Sequence, residues 1–177
     1  PGSVSYTLVL TGSNVASGLF ALGVGGAAGA SIVLNQAAPG ADIIGTVGST
    51  EYVRISIAPG TGVVTFSQTT NVWHSDTGSD DDTATLTLAN ANLLQVVQTV
   101  TDADGDKDSA AINLGTGVFQ IEDDGPNAVV FNATADTLVL DETRPVGTEE
   151  DGDNDPAGLA TVTANFADNF AAVTDFG

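Results

Sequence analysis

The chain has 177 residues, 42% of them apolar, which is enough to fill the core of one sizeable domain and excludes wholesale disorder. Its 23 acidic residues face only Arg54, Lys107 and Arg144, for a net charge of −20; binding to nucleic acid or anionic membrane through basic patches is excluded, and the acids either repel one another or take up external cations. There is no cysteine, so disulfides, thiolate metal sites and thiol catalysis are excluded as well.

The chain opens on Pro1 without a signal-peptide pattern, which reads as a fragment or a processed chain. Short runs of Val, Ile, Thr and Leu, bounded by Gly, Pro, Asn and Asp, predict strands at 5–10, 31–34, 43–47, 51–57, 63–67, 83–88, 109–114 and 118–122. Further strands are predicted at 128–131, 137–140 and 160–165. Alternation is clean where Val53, Ile55 and Ile57 share one face, and where Ala84, Leu86 and Leu88 alternate with Thr. Helix signals are few. Residues 90–98 read as one or two helical turns capped by Asn90, with the β-branched residues beyond favouring a return to strand, and 168–173 is a second short possibility. Many short strands with turn signals between them point to an all-β sandwich. No uncharged apolar stretch approaches the roughly 20 residues of a membrane-spanning helix. Gly125-Pro126 stops pairing after the strand at 118–122, and the piece that follows is short for an independent core.

The acids are clustered, and the clusters are the candidate sites. Asp102, Asp104, Asp106 and Asp108 stand at alternate positions around Gly105. A Ca2+ ion takes about six to eight oxygens at roughly 2.3–2.6 Å, and a tight loop with an acid at every second residue can turn those oxygens inward. The spacing is not that of an EF-hand, whose glycine stands later and which closes on a glutamate. The other reading is a solvated acidic turn, whose carboxylates would repel; the expectation is Ca2+. Glu122, Asp123 and Asp124 precede the Gly-Pro break, and Asp141 and Glu142 follow it; together they are candidate ligands for a cation that stiffens a linker. Asp151, Asp153 and Asp155 alternate again, but Pro156 replaces the glycine of an EF-hand, and the stretch reads equally as a site or as a mobile acidic loop. Asp76 with Asp80, Asp81 and Asp82 is expected to be a solvated loop.

Other chemistry is poorly provided for. His74 is the sole histidine, no Gly-x-Ser-x-Gly elbow is present, and a structural role for His74 is expected in a chain that is not an enzyme. Without a His cluster or Cys, transition-metal sites are not expected. Aromatic residues make up 6%, too few for sugar-binding platforms, so Trp73, Tyr6, Tyr52 and the seven Phe are assigned to the core. Gly23-x-Gly25-x-x-Ala28 is a loose dinucleotide fingerprint, but Ser31-Ile32-Val33-Leu34 reads as a strand where a helix is required, and a Gly/Ala loop is expected. Asn132-Ala133-Thr134 fits a glycosylation sequon.

Val100-Thr101-Asp102-Ala103-Asp104-Gly105-Asp106, then Ile121-Glu122-Asp123-Asp124-Gly125-Pro126, then Leu138-Val139-Leu140-Asp141-Glu142-Thr143, resemble segments of the extender repeats of very large bacterial adhesins and biofilm-matrix proteins. These are the RTX-associated proteins exported by type I secretion, with tandem Ig-like or cadherin-like modules. The Gly-Gly-x-Gly-x-Asp nonapeptides of RTX β-rolls are absent, so the resemblance is to an extender module. It implies an Ig-like or cadherin-like β-sandwich with Ca2+-binding loops, an extracellular or cell-surface location, and neighbouring repeats of the same protein as partners. It implies that Asp102, Asp104 and Asp106 share one Ca2+ site and that Glu122, Asp123, Asp124, Asp141 and Glu142 belong to the linker region. It also orders the chain. Residues 1–126 would be the later part of one repeat, and 127–177 the opening strands of the next, completing a neighbouring unit in a covalent array or by strand donation between chains. The competing functional reading is a carbohydrate- or receptor-binding sandwich, with exposed aromatics around Trp73.

Overall fold

The computed structural model describes residues 2–76, 78–79, 81–126, 128–139 and 163–173. It divides into two compact units, Pro1–Gly125 and Pro126–Gly177.

The first unit is all-β. Its strands are β1 (Ser3–Leu10), β2 (Val15–Leu22), β3 (Ala28–Gln36), β4 (Ile43–Val47), β5 (Thr50–Ile57), β6 (Val64–Gln68), β7 (Thr83–Thr87), β8 (Leu94–Thr101), β9 (Lys107–Asn113) and β10 (Thr116–Glu122). They form a five-stranded sheet in the order β2-β3-β4-β5-β6, a three-stranded sheet β1-β8-β9 and a pair β10-β7. Every pairing is antiparallel. Helical structure among the described residues is limited to 3-10 turns, and no helix there is long and apolar enough to cross a membrane.

Period-two patterning places the core. Val53 and Ile55 of β5 are fully buried, while Arg54 between them faces outward. Leu8 and Leu10 of β1 and Leu94 and Val96 of β8 join Ile32, Leu34, Ile43, Val53 and Ile55 of the five-stranded sheet in one apolar cluster. This is the sandwich arrangement the sequence predicts. The β4–β5 hairpin turns on Gly48-Ser49, with Val47 opposite Thr50. Gly48 has φ +58°, which fits the glycine-first two-residue turn that matches strand twist. A strand does follow the glycines at 23–26, as β3, and those glycines form a hairpin connection.

The two edges of the three-stranded sheet differ. Along the outer edge of β1, Tyr6 N–H donates to the Pro59 carbonyl (2.9 Å) and the Leu8 carbonyl accepts from Gly40 N–H (3.0 Å). The Gln36 side chain completes the seal. Its Oε1 accepts from Leu10 N–H (2.8 Å), and its Nε2 donates to the carbonyls of Leu8 (3.0 Å) and Ala41 (2.8 Å). On the opposite side β9 pairs, among the described residues, only with β8, and all seven of its residues are exposed.

Three expectations need correction. β2 is a strand that the pattern does not predict. Ser17 and Gly18 break its alternation, and the register shifts between Ala16 and Phe20. Ser17 is fully buried; its hydroxyl donates to the Ile32 carbonyl (2.6 Å) and accepts from Leu19 N–H (3.1 Å), so a side chain fills in for the irregular ladder. Gly18, at φ +79°, lies against β7, where a Cβ would come within 2.9 Å of the Thr87 carbonyl oxygen. Second, residues 90–98 are not helical turns throughout. A 3-10 turn covers Ala91–Leu93, Asn90 makes no capping bond, and β8 begins at Leu94. Val96, Val97 and Val100 favour strand, and β8 is paired on both sides. Third, the strands expected at 128–131 and 137–140 do not form among the described residues.

In the second unit a single bridge joins Val130 and Phe170, and a 3-10 turn covers Phe166–Asn169. Asn169 organises these residues. Its Nδ2 donates to the Asn132 and Thr134 carbonyls (3.0 and 2.9 Å), and its carbonyl accepts from Phe131 and Asn132 N–H (2.8 and 3.0 Å). It is the one buried residue among those described there, so Val129, Val130 and Phe131 find no core that would order them as a ladder. The strand expected at 160–165 lies partly outside the described residues, and its described part, 163–165, is not strand.

Candidate metal centre

β8 and β9 are joined by the five residues Asp102 to Asp106. Asp102 N–H donates to the Asp106 carbonyl (3.0 Å), which continues the β8–β9 ladder into the loop. The Asp102 carboxylate then caps the turn from inside. Its Oδ1 accepts from the N–H groups of Asp104 (3.2 Å), Gly105 (3.0 Å) and Asp106 (2.9 Å). Gly105 sits at φ +103°, a conformation that a side chain would strain. Tight closure brings the side chains together: one carboxylate oxygen each from Asp102, Asp104 and Asp106 lies within 4.8 Å of the others, and all three residues are exposed. A side-chain hydrogen bond with Asp104, followed by the backbone N–H groups of Asp106, Gly105 and Asp104, holds the Asp102 carboxyl below the usual carboxylate range.

The cluster can hold a metal ion. Its donors are oxygens only, with one Asp102 oxygen already occupied by backbone N–H groups. Such a set suits a hard cation. Asp108 is not brought into it. It stands on β9 opposite Val100, and its Oδ1 accepts from Ser109 N–H (2.9 Å). Extended backbone carries each residue about 3.3 Å along the strand, so Asp108 is drawn away from the loop that gathers the other three.

The junction acids are arranged differently. Glu122 ends β10 opposite Thr83, Asp123 N–H donates to the Asp82 carbonyl (2.9 Å), and Asp123 Oδ1 accepts from Asp124 N–H (3.1 Å). Among the described residues their carboxylates do not converge into a group of three that could hold an ion. Asp141, Glu142, Asp151, Asp153 and Asp155 lie outside the described residues. In the loop after Trp73, the Asp82 carboxylate accepts from Asp76 N–H (2.8 Å) and the Ser75 hydroxyl (3.1 Å). The Asp76 N–H and then the Ser75 hydroxyl pull its carboxyl below the ordinary range. Ser75, Asp76, Gly78 and Asp81 are exposed and Asp80 lies outside the described residues, yet the half-buried Asp82 works as an internal tie.

Trp73 and His74 are partly buried. The Trp73 indole N–H donates to the Gly26 carbonyl (3.1 Å), and its ring stands edge-on to Phe20 at 6.2 Å. Both contacts fasten it to the β2–β3 hairpin. Arg54 is the cation that sequence reasoning left unassigned. It grips Glu51 with two nitrogens (2.9 and 2.7 Å) and Asp42 with a third (2.8 Å). In a strand residues three apart face opposite sides, so the spacing gave no signal; the register shift opposite Gly45 and Thr46 lies between Glu51 and Arg54, and Asp42 approaches through the β4–β5 register.

An all-β sandwich whose hairpin tip gathers three aspartates is thus the class of domain that fold and site define. Residues 1–115, which span β1 to β9 and the hairpin tip, match the family described as "Domain of unknown function (DUF5801)". The chain belongs to that family. No curated protein and no solved structure matches the chain.

Proposed function

We propose that this chain is a Ca2+-stabilised structural repeat module of an extracellular adhesin or biofilm-matrix fibre. Ca2+ at the β8–β9 tip would screen Asp102, Asp104 and Asp106 and stiffen the hairpin, and neighbouring repeats would be its partners, in a covalent array or by strand donation. The observation that carries this reading is the convergence of those three carboxylates on one tight turn in a chain of net charge −20. Oxygen-only donors from three aspartates that need not form a near-ideal octahedron favour Ca2+ over Mg2+.

Thermal unfolding in EDTA, in Ca2+ and in Mg2+ tests it. At a hundredfold excess over Kd, one site adds about 2.7 kcal/mol. A Ca2+-selective rise in Tm that is lost in Asp104→Asn supports the reading. Equal Tm in Ca2+ and EDTA overturns it.

A further inference from the structure

The strand β9 has a free edge, and its register shows which groups lie along it. Asp102 pairs with Asp106 and Leu114 N–H donates to the Leu94 carbonyl (2.8 Å), so the even-numbered residues of β9 exchange hydrogen bonds with β8. The backbone groups of Lys107, Ser109, Ala111 and Asn113 therefore point away from the sheet. Among the described residues no other backbone pairs with them, and the one bond they make is local, from Ser109 N–H to Asp108 Oδ1 (2.9 Å), which a docking strand would replace. Ile112 shares a face with Val96 and the fully buried Leu8, yet it is 64% exposed, so among the described residues no second layer reaches under this end of the sheet. Edge strands are usually protected by charge, proline or a covering segment. β1 has such a cover; β9 carries charge only at Lys107 and Asp108, and Ser109 to Asn113 has neither charge nor proline.

We propose that β9 is a homotypic docking edge, which pairs antiparallel with β9 of a second copy of this chain. The strand is self-complementary. With full overlap, Lys107 faces Asn113, Asp108 faces Ile112, Ser109 faces Ala111, and Ala110 faces itself across a two-fold axis. No like charges stand opposite, and all outward N–H and C=O groups of both strands fall into hydrogen-bonded pairs. The product is one continuous sheet, β1-β8-β9 followed by its symmetry mate. The contact is small and each copy carries −20, so pairing is weak, concentration-dependent and strengthened by salt. In a multi-copy array such contacts would add through effective concentration and tie chains side by side. The surface stands on strand geometry and does not depend on the cation reading.

Sedimentation equilibrium over a range of concentrations, at physiological and raised salt, reads the association directly. The native chain is expected to show a monomer–dimer equilibrium. Ala111→Pro removes an outward N–H that β8 does not use, a change edge strands tolerate, and should leave a monomer with its Tm unchanged in dilute solution. The absence of native cysteine permits a second test that keeps the proposal exposed even if the proline variant fails to fold. Ala110→Cys should oxidise to a covalent dimer far faster than Ser109→Cys, because only residue 110 faces its own copy. A chain that stays monomeric at every concentration and salt, a dimer indifferent to Ala111→Pro, or equal cross-linking at 109 and 110 would overturn the proposal.

Discussion

Asp82 accepts the Asp76 N–H and the Ser75 hydroxyl, and its own carbonyl receives Asp123 N–H, so one residue ties the loop after Trp73 to the end of β10. Its carboxyl titrates below the ordinary value of 3.8. The unfolded chain therefore takes up that proton at higher pH than the folded chain does, and stability rises with pH between the two values. The contribution is complete above 3.8 and is lost as pH falls through the folded value. Asp82→Asn should lower the urea midpoint at about pH 6 and lower it less at about pH 3; an equal loss at both would show that the carboxylate is not the tie. At this scale the sequence was partly legible. Alternating acids announced Asp102, Asp104 and Asp106. It did not show that Asp102 spends one oxygen on three backbone N–H groups, nor that Asp108 is already strand, because both depend on where the hairpin closes.

Among the elements, β1 and β9 flank β8 and face opposite circumstances. Leu8 of β1 is fully buried, while Ile112 of β9, in the same cross-strand row, is largely exposed. Leu8→Ala should cost roughly 2–5 kcal/mol in urea unfolding of the dilute chain, whereas Ile112→Ala should stay within about 0.5 kcal/mol. A comparable loss at both would mean that β9 is covered by something the sheet order does not include. Elements with unbroken alternation, such as β5 and β7, could be read directly from Val53, Ile55 and Leu86. β2 could not, since Ser17 and Gly18 interrupt its period and the buried hydroxyl that compensates is a tertiary contact. The strands predicted at 128–131 and 137–140 do not form among the described residues, for the converse reason: their composition suits a strand, but a strand needs a partner and a core, and among the described residues of this unit only Asn169 is buried.

For the molecule as a whole, charge is the governing quantity. Only Arg54 engages carboxylates among the described residues, through Asp42 and Glu51, and most of the −20 is left to solvent and counterions. The Debye length falls from roughly 30 Å at 0.01 M salt to about 10 Å at 0.1 M, so Tm in EDTA should rise by a few degrees between those conditions. CaCl2 at matched ionic strength should raise it further; coincident curves would reduce the acidic tip to general screening. The charge imbalance was legible from composition and the all-β class from short alternating runs between turn signals, because neither depends on which strands meet. The asymmetry of the three-stranded sheet was not, since it turns on one glutamine side chain lying where another backbone would run. That asymmetry has a stoichiometric meaning. With Gln36 and the loops at Gly40 and Pro59 occupying the far side, the sheet is monovalent: recruitment through β9 terminates after a single event, and a longer aggregate would have to grow through some other part of the chain.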